Sequence, residues 1–389
     1  MNTQNTPIHI RLWHRDFWLL VIANLLLTTT VYMLVPVLPD WLLKTEHFSP
    51  VETGLSMGVF GIGLYLLGAH CSWLVQRFRR NVVCMWAIVA MEVDIVLLWY
   101  IDGLHSEVVE FWFFLIHRLV LGAAFGLAQM VLSSTLIIDT CESYQRTEAN
   151  HSAAWFARFA LSLGPLAGLL IYVFLDFNRV LLGAIACAVL AILFIHRVNF
   201  PFRTPEEGVR IASLDRFWLP QGYVLFVNLL LVSMVMGLLL SLPLQPIFYG
   251  LMMAGFLLAL LAQRFVFREA ELKSEVLSGQ ILLLGALFIL LGYPLSPVAP
   301  VLVGLAMGII SARVLLFFIK LSRHCKRGTS QSTFFLGWET GVASGLCMGY
   351  AVFYGQEDFL LYVCLSLTTI SLLMYHFYTH SWFMRNKSR

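Results

Sequence analysis

Long, nearly unbroken blocks of apolar residues alternate with short polar or charged stretches along this chain. Twelve blocks are distinguished, at 17–38, 51–74, 82–101, 111–137, 151–174, 180–196, 219–241, 247–267, 276–293, 298–320, 331–354 and 359–379. Roughly 20 apolar residues suffice for a helix to cross the hydrocarbon core of a bilayer. Unpaired backbone groups in lipid cost several kcal/mol each, which leaves helix as the form such a block can take. The pattern predicts an all-α membrane protein with twelve transmembrane helices.

The blocks also repeat. Gly68 with Gln76-Arg77-Phe78 recurs 187 positions later as Gly255 with Gln263-Arg264-Phe265. Gly122-x3-Gly126 recurs as Gly304-x3-Gly308 at an offset of 182, and Trp155 as Trp338 at 183. Three echoes at nearly one offset predict a six-helix unit duplicated in parallel, a transporter signature. Between Arg197 and Leu219, Pro201, Pro205, Glu206, Glu207, Gly208 and Asp215 break the apolar pattern as a linker does. The predicted organisation is an N-terminal six-helix bundle over 1–198, a cytoplasmic linker over 199–218 and a pseudo-symmetric second bundle over 219–389.

Charge fixes the orientation. Of 25 Lys and Arg residues, 20 fall in alternate segments beginning with the N-terminus, two (Lys44 and Arg179) in the opposite segments, and three within the blocks. The positive-inside rule then predicts both termini in the cytoplasm. This layout, rather than the net charge of +3, identifies the partner as a lipid bilayer and not nucleic acid. Only 12% of residues are charged, against about 25% in a soluble domain. The first sixteen residues are polar and basic and the next block is long enough to span, so no cleaved signal peptide is expected. The seven cysteines show no metal-ligand spacing and read as small apolar side chains. No metal or other cofactor is expected. Without a Walker loop or a His-Glu-x-x-His set, neither ATP hydrolysis nor enzymatic activity is expected.

The stretch from Gly68 to Asn81, GAHCSWLVQRFRRN, resembles the loop between helices 2 and 3 of the major facilitator superfamily. Arg77 and Arg80 match, Gln76 stands where an aspartate is usual, and Arg79 where a glycine is usual. In that family the acidic group helps latch the two halves on the cytoplasmic side. The resemblance thus implies gating roles for Gln76, Arg77 and Arg80 and, through the repeat, for Gln263 and Arg264. In the fourth block, LIHRLVLGAAFG is similar to a family motif whose arginine is linked to proton transfer. Arg118 and Gly122 match its spacing, and Leu121 replaces its usual polar residue. Gly164-Pro165-x-x-Gly168 resembles the helix 5 motif associated with antiporters, with Leu169 in place of its second terminal glycine. The resemblance extends over the whole chain.

Six charged residues stand out inside the blocks, away from their ends: Glu92, Asp94, Arg118, Arg158, Arg313 and Glu339. Such a group at mid-bilayer costs about 2.5–3.5 kcal/mol and faces the bundle interior, either as a functional group or as half of a neutralising pair. At 1.5 Å per residue, Arg313 lies roughly 10 Å and Glu339 roughly 12 Å from the cytoplasmic ends of consecutive antiparallel helices. The two are therefore expected to pair, with Glu339 as the proton-binding carboxyl. Glu92 and Asp94, about 200° apart around their helix, are rival proton carriers. Arg118 and Arg158, if unpaired, would favour an anionic substrate. The resemblance implies that helices 1, 4, 5, 7, 10 and 11 line the cavity. This makes Asn24, Tyr32, Gln129, Trp155, Arg158, Asn228 and Trp338 candidate substrate-binding residues.

The expected function is secondary active transport by alternating access, as proton-coupled export of a small amphiphilic or drug-like compound. The alternative is proton-coupled uptake of a small metabolite such as a sugar or organic acid. A monomer in a bacterial inner membrane is expected, with substrate, protons and lipid as its partners.

Overall fold

In the computed structural model of the chain, which describes residues 11–103, 111–200, 208, 210–267, 271–323 and 326–387, twelve long helices form two six-helix halves. Pro201, Pro205, Glu206 and Glu207 of the linker and Cys325 lie outside the described residues. The first half contains α1 (Arg15–Lys44), α2 (Pro50–Arg77), α3 (Arg80–Tyr100), α4 (Phe111–Asp139), α5 (Ser143–Phe174) and α6 (Phe177–His196). The second contains α7 (Pro220–Leu240), α8 (Pro246–Phe265), α9 (Leu272–Gly292), α10 (Val298–Leu321), α11 (Arg327–Ala351) and α12 (Glu357–Asn386).

Local signals place several boundaries. The start of α2 is a capping box, in which Ser49 Oγ accepts from the Glu52 N–H and the Glu52 carboxylate accepts from the Ser49 N–H. Pro50 follows at the first helical position, where its missing N–H costs nothing. Eleven of the helices are long and apolar enough to cross a membrane. The other, α11, has the length, 25 residues, but opens with the polar run Thr329-Ser330-Gln331-Ser332-Thr333. All five residues are buried against protein. Ser330 and Thr333 also return their hydroxyls to the carbonyls of Lys326 and Thr329 at 3.2 and 2.8 Å, which satisfies polar groups that lipid could not.

The duplication is visible in how the helices touch. A Cβ added at Gly122 on α4 would sit 2.3 Å from the Phe60 carbonyl oxygen of α2, and one at Gly304 on α10 2.0 Å from the Met252 carbonyl oxygen of α8. The offset of 182 therefore marks equivalent crossings. The 187 offset does not. Gly255 meets the Val301 carbonyl oxygen of α10 as Gly63, not Gly68, meets that of Leu119 on α4. Gly68 instead lies under the Phe217 ring of the linker, which leaves no room for a side chain. The Gln-Arg-Phe echo thus joins two positions with different neighbours.

The two halves close on each other at both ends of the bundle. At the end remote from the termini, α2 lies against α11. Added Cβ atoms at Gly58 and Gly61 would come within 2.8 Å of the Cβ atoms of Cys347 and Ala343. At the end carrying the termini, Gly328 of α11 packs on the Ser134 carbonyl of α4. A π-helical turn over Leu132–Leu136 displaces this part of α4, a distortion frequent near functional sites.

Gly61→Leu is expected to pry α2 from α11 and raise the rate at which Cys347 reacts with a maleimide in detergent by about tenfold, since overpacking costs about 1–3 kcal/mol. Cys347→Ala supplies the blank. An unchanged rate would mean that this crossing does not hold the halves together.

Candidate functional site

A cavity lies between the halves near their middle. The first half contributes Asn24 and Tyr32 from α1, Gln129 from α4 and Arg158 from α5. The second contributes Ser311 from α10 and Gln331, Phe334, Phe335, Trp338 and Glu339 from α11. Its volume is about 50 Å³, room for a few waters at about 10–15 Å³ each. A larger ligand requires the halves to move apart.

The cavity's chemistry rests on three arrangements. Tyr32 Oη donates across the interface to both carboxylate oxygens of Glu339, at 3.1 and 3.2 Å. Tyr32 stands there because Gly164 and Gly168 let α5 press on α1. Added Cβ atoms would lie 2.6 Å from Tyr32 Cβ and 2.2 Å from the Met33 carbonyl oxygen. Asn24 accepts from Gln129 Nε2 at 2.6 Å and donates to the Ala153 carbonyl at 3.1 Å, tying α1, α4 and α5 together. Arg158 lies over the Trp155 ring at 4.9 Å and is 6% exposed. Its three guanidinium nitrogens have no hydrogen-bond partner.

A smaller cavity lies beyond Tyr32 and Glu339, and Arg118 lines it. Tyr32 and Glu339 line both cavities, so their hydrogen bond is the partition between them. Arg118 covers the Phe60 ring at 4.9 Å.

The structure separates several residues that the sequence had grouped. Arg313 does not pair with Glu339. It makes a two-pronged ion pair with Glu275 of α9, a residue with no solvent exposure that the sequence gave no reason to choose. The depth estimate failed because α11 begins at Arg327, ahead of the apolar block. Glu339 therefore lies roughly 18 Å along its helix rather than 12. Asp94 approaches His117 Nε2 at 3.3 Å, out of line for a hydrogen bond, and neither Asp94 nor Glu92 lines the central cavity. Asn228 donates to the Ser371 carbonyl at 3.0 Å and braces α7 against α12, away from the cavity. Trp155 stands behind Arg158 instead of lining the cavity. Gln331, Phe334 and Phe335 were missed, although the polar run opening α11 was the available signal.

Among the gating candidates, Arg80 pairs with Asp139 at the end of α4. Gln76 and Gln263 are half-buried and Arg77 and Arg264 exposed, with Arg264 over the Phe265 ring at 5.7 Å. The linker brings a carboxylate to α2 and α11. Asp215 accepts from Ser72 of α2 and Thr329 of α11, each at 3.3 Å. Next to it, Arg216 donates through its backbone N–H to Thr329 at 2.9 Å and through Nη1 to Thr135 of α4 at 3.0 Å. Its φ of +58° is left-handed, a conformation that costs an L-residue about 1–2 kcal/mol and persists where such bonds hold it.

Arg313→Gln is expected to lower stability in detergent by about 3–5 kcal/mol, because Glu275 is left buried without a partner. Glu275→Gln together with Arg313→Gln should recover much of the loss. Thermal unfolding of the single and double variants checks this, and equal losses in both would refute the pairing argument.

The family model described as Major Facilitator Superfamily matches residues 20–346. No curated protein sequence matches the chain. Among solved structures, the human organic anion transporter TETRAN is similar at a TM-score of 0.65 and 16% identity, covering 93% of this chain and 99% of its own. The nucleoside transporter NupG is similar at 0.65 and 14%, covering 93% and 99%. A bacterial homologue of the iron transporter ferroportin, in an outward-facing state, is similar at 0.65 and 14%, covering 95% and 99%. At these identities the likeness is one of fold.

Proposed function

The chain belongs to the major facilitator superfamily, and from that premise we propose that this membrane transporter is a proton-coupled carrier of a small amphiphilic compound, with Glu339 carrying the proton. The supporting observation is the Tyr32–Glu339 hydrogen bond, which joins the halves and divides the two cavities. The end bearing the termini faces the cytoplasm in this reading, in a bacterial inner membrane, on the distribution of Lys and Arg.

The coupling follows from how the bond depends on charge. A carboxylate accepting from a tyrosine makes a hydrogen bond worth about 1.5–3 kcal/mol net, more than a neutral acid does. Protonation of Glu339 weakens the partition, and separation of the halves on the far side then exposes the acid to that solution. A difference of 1.4 kcal/mol between the two states is a tenfold shift in their populations. Arg118, on the far side of the partition, supplies positive charge that favours the ionised acid once Tyr32 has withdrawn. Gln331, Gln129, Trp338 and Arg158 would meet the substrate, while Asp215 and Arg216 of the linker hold the cytoplasmic end shut.

The likeness of Gly164-Pro165-x-x-Gly168 to an antiporter motif supports export. In this chain both glycines act by setting the place of Tyr32, so the direction of proton movement turns on the charge of the substrate instead.

Proteoliposomes with an internal pH-sensitive dye test the proposal, using a panel of lipophilic cations, sugars and organic acids. In Glu339→Gln, substrate-linked proton movement should disappear while exchange of substrate across the membrane persists. Tyr32→Phe should shift the half-maximal proton concentration by about tenfold, as expected for loss of one charge-assisted hydrogen bond. Proton-driven transport surviving Glu339→Gln unchanged would overturn the assignment.

A further inference from the structure

Arg158 differs from the other buried or half-buried arginines discussed above. Arg313 has Glu275, Arg80 has Asp139 and Arg216 has Asp215, while Arg118 leaves two of its nitrogens, Nε and Nη1, without a partner rather than all three. Among the described residues no carboxylate lies within 4.0 Å of Arg158, and all three of its guanidinium nitrogens are without a hydrogen-bond partner. A buried guanidinium with neither counter-ion nor acceptor is costly to maintain, and more so in a membrane. The acid that lines the same cavity does not relieve it. Glu339 follows the first residue of α11, Arg327, by twelve positions, and Arg158 follows Arg146 of α5 by twelve as well. The two charges thus stand at similar depth on opposite halves, each about 18 Å from the first residue of its α-helical run, which in α5 follows a 3-10 turn over Ser143–Gln145. Glu339 is held by Tyr32 instead.

The surroundings of Arg158 define a complement. Trp155 covers one face of the guanidinium, so the edge, with its parallel N–H donors, is left for a pair of oxygens in the geometry of a carboxylate. Two further polar atoms of the cavity wall are buried without partners, Gln129 Oε1 and Gln331 Oε1. Both are acceptors and require a donor. Gln129 spends its amide nitrogen on Asn24, which fixes its oxygen as the free end. Phe334, Phe335 and Trp338 supply an apolar wall from α11.

We propose that the substrate is a small organic anion, whose carboxylate-like group binds the edge of Arg158, whose N–H or O–H donor meets Gln129 or Gln331, and whose apolar body rests on Phe334 and Trp338. This rests on the central cavity being the transport site. It also sets the coupling. The bound anion and an ionised Glu339 would repel each other within one cavity, so anion and proton occupy it together and cross in the same direction. Symport follows, and a sugar or a lipophilic cation does not fit.

The full-length protein in nanodiscs tests the assignment by thermal unfolding followed with a thiol-reactive dye. Two matched probe sets are used: indole-3-acetate with indole-3-acetamide and tryptamine, and mandelate with mandelamide. At saturating concentration the anions should raise the unfolding midpoint by about 2 °C or more, and the amides and the amine by less. Arg158→Gln should abolish the anion shift, and Arg158→Lys should keep a weaker one, having the charge without the fork. Neutral or cationic probes stabilising as much as the anions would overturn the proposal. An anion shift surviving Arg158→Gln, or no shift from either anion, would do the same. Binding here requires no proton movement. Glu339→Gln should bind the anions at least as tightly as the wild type, so failure of the coupling role of Glu339 in proteoliposomes remains distinguishable from failure of the anion site.

Discussion

A carboxyl group buried between two bundles in a membrane must be matched by a donor wherever the bundles stand, and Tyr32 matches Glu339 in this conformation. That single contact fixes much else. It requires α1 to present Tyr32 at the interface, which the small residues Gly164 and Gly168 of α5 permit. It requires α11 to bring Glu339 to the same level, and α11 is seated on α7 by equally close contacts, where Cβ atoms at Gly237 and Gly345 would lie 2.1 and 2.3 Å from carbonyl oxygens. Neither helix can shift by a fraction of a turn without stranding the acid.

Charge is distributed so that the halves are firm and the seam between them is weak. Among the described residues, four ion pairs join groups in one half or within the linker: Asp40–Lys44 and Arg80–Asp139 in the first, Asp215–Arg216 in the linker, and Glu275–Arg313 in the second. Across the seam run single hydrogen bonds, such as Tyr65 to Thr340 at 2.8 Å and Ser162 to the Tyr249 carbonyl at 3.0 Å. Each such bond contributes about 1 kcal/mol net, whereas breaking a buried ion pair costs about 3–5 kcal/mol. Two stiff bodies joined by individually weak contacts are what rocking about a central site demands.

The linker takes part in that seam. Asp215 reaches both α2 and α11, and Arg216 tolerates a left-handed backbone to reach α4 and α11. A segment that sequence pattern marks only as a break between bundles thereby becomes part of the closed end.

Helix number, the duplication and the charges inside the apolar blocks were legible in the sequence, because each follows from a local property: the length of an apolar block, the recurrence of small residues, the rarity of charge in lipid; the buried Glu275, one residue ahead of its block, escaped that rule. Arg158 and Glu339 could be named from the rarity of charge in lipid, and Asn24, Tyr32, Gln129 and Trp338 from the resemblance to the family; all six line one cavity. Partnership could not be read this way. Whether Arg313 meets Glu275 or Glu339, and whether Asn228 faces the cavity or α12, depends on the rotation of each helix about its axis. Glycine contacts between helices distant in sequence set that rotation, and one-dimensional depth carries no trace of it. The sequence by itself determined which groups in the apolar blocks must be neutralised, and only the tertiary structure decided that Arg158 is left with neither an acid nor an acceptor, because azimuth and neighbour exist only once the helices are packed.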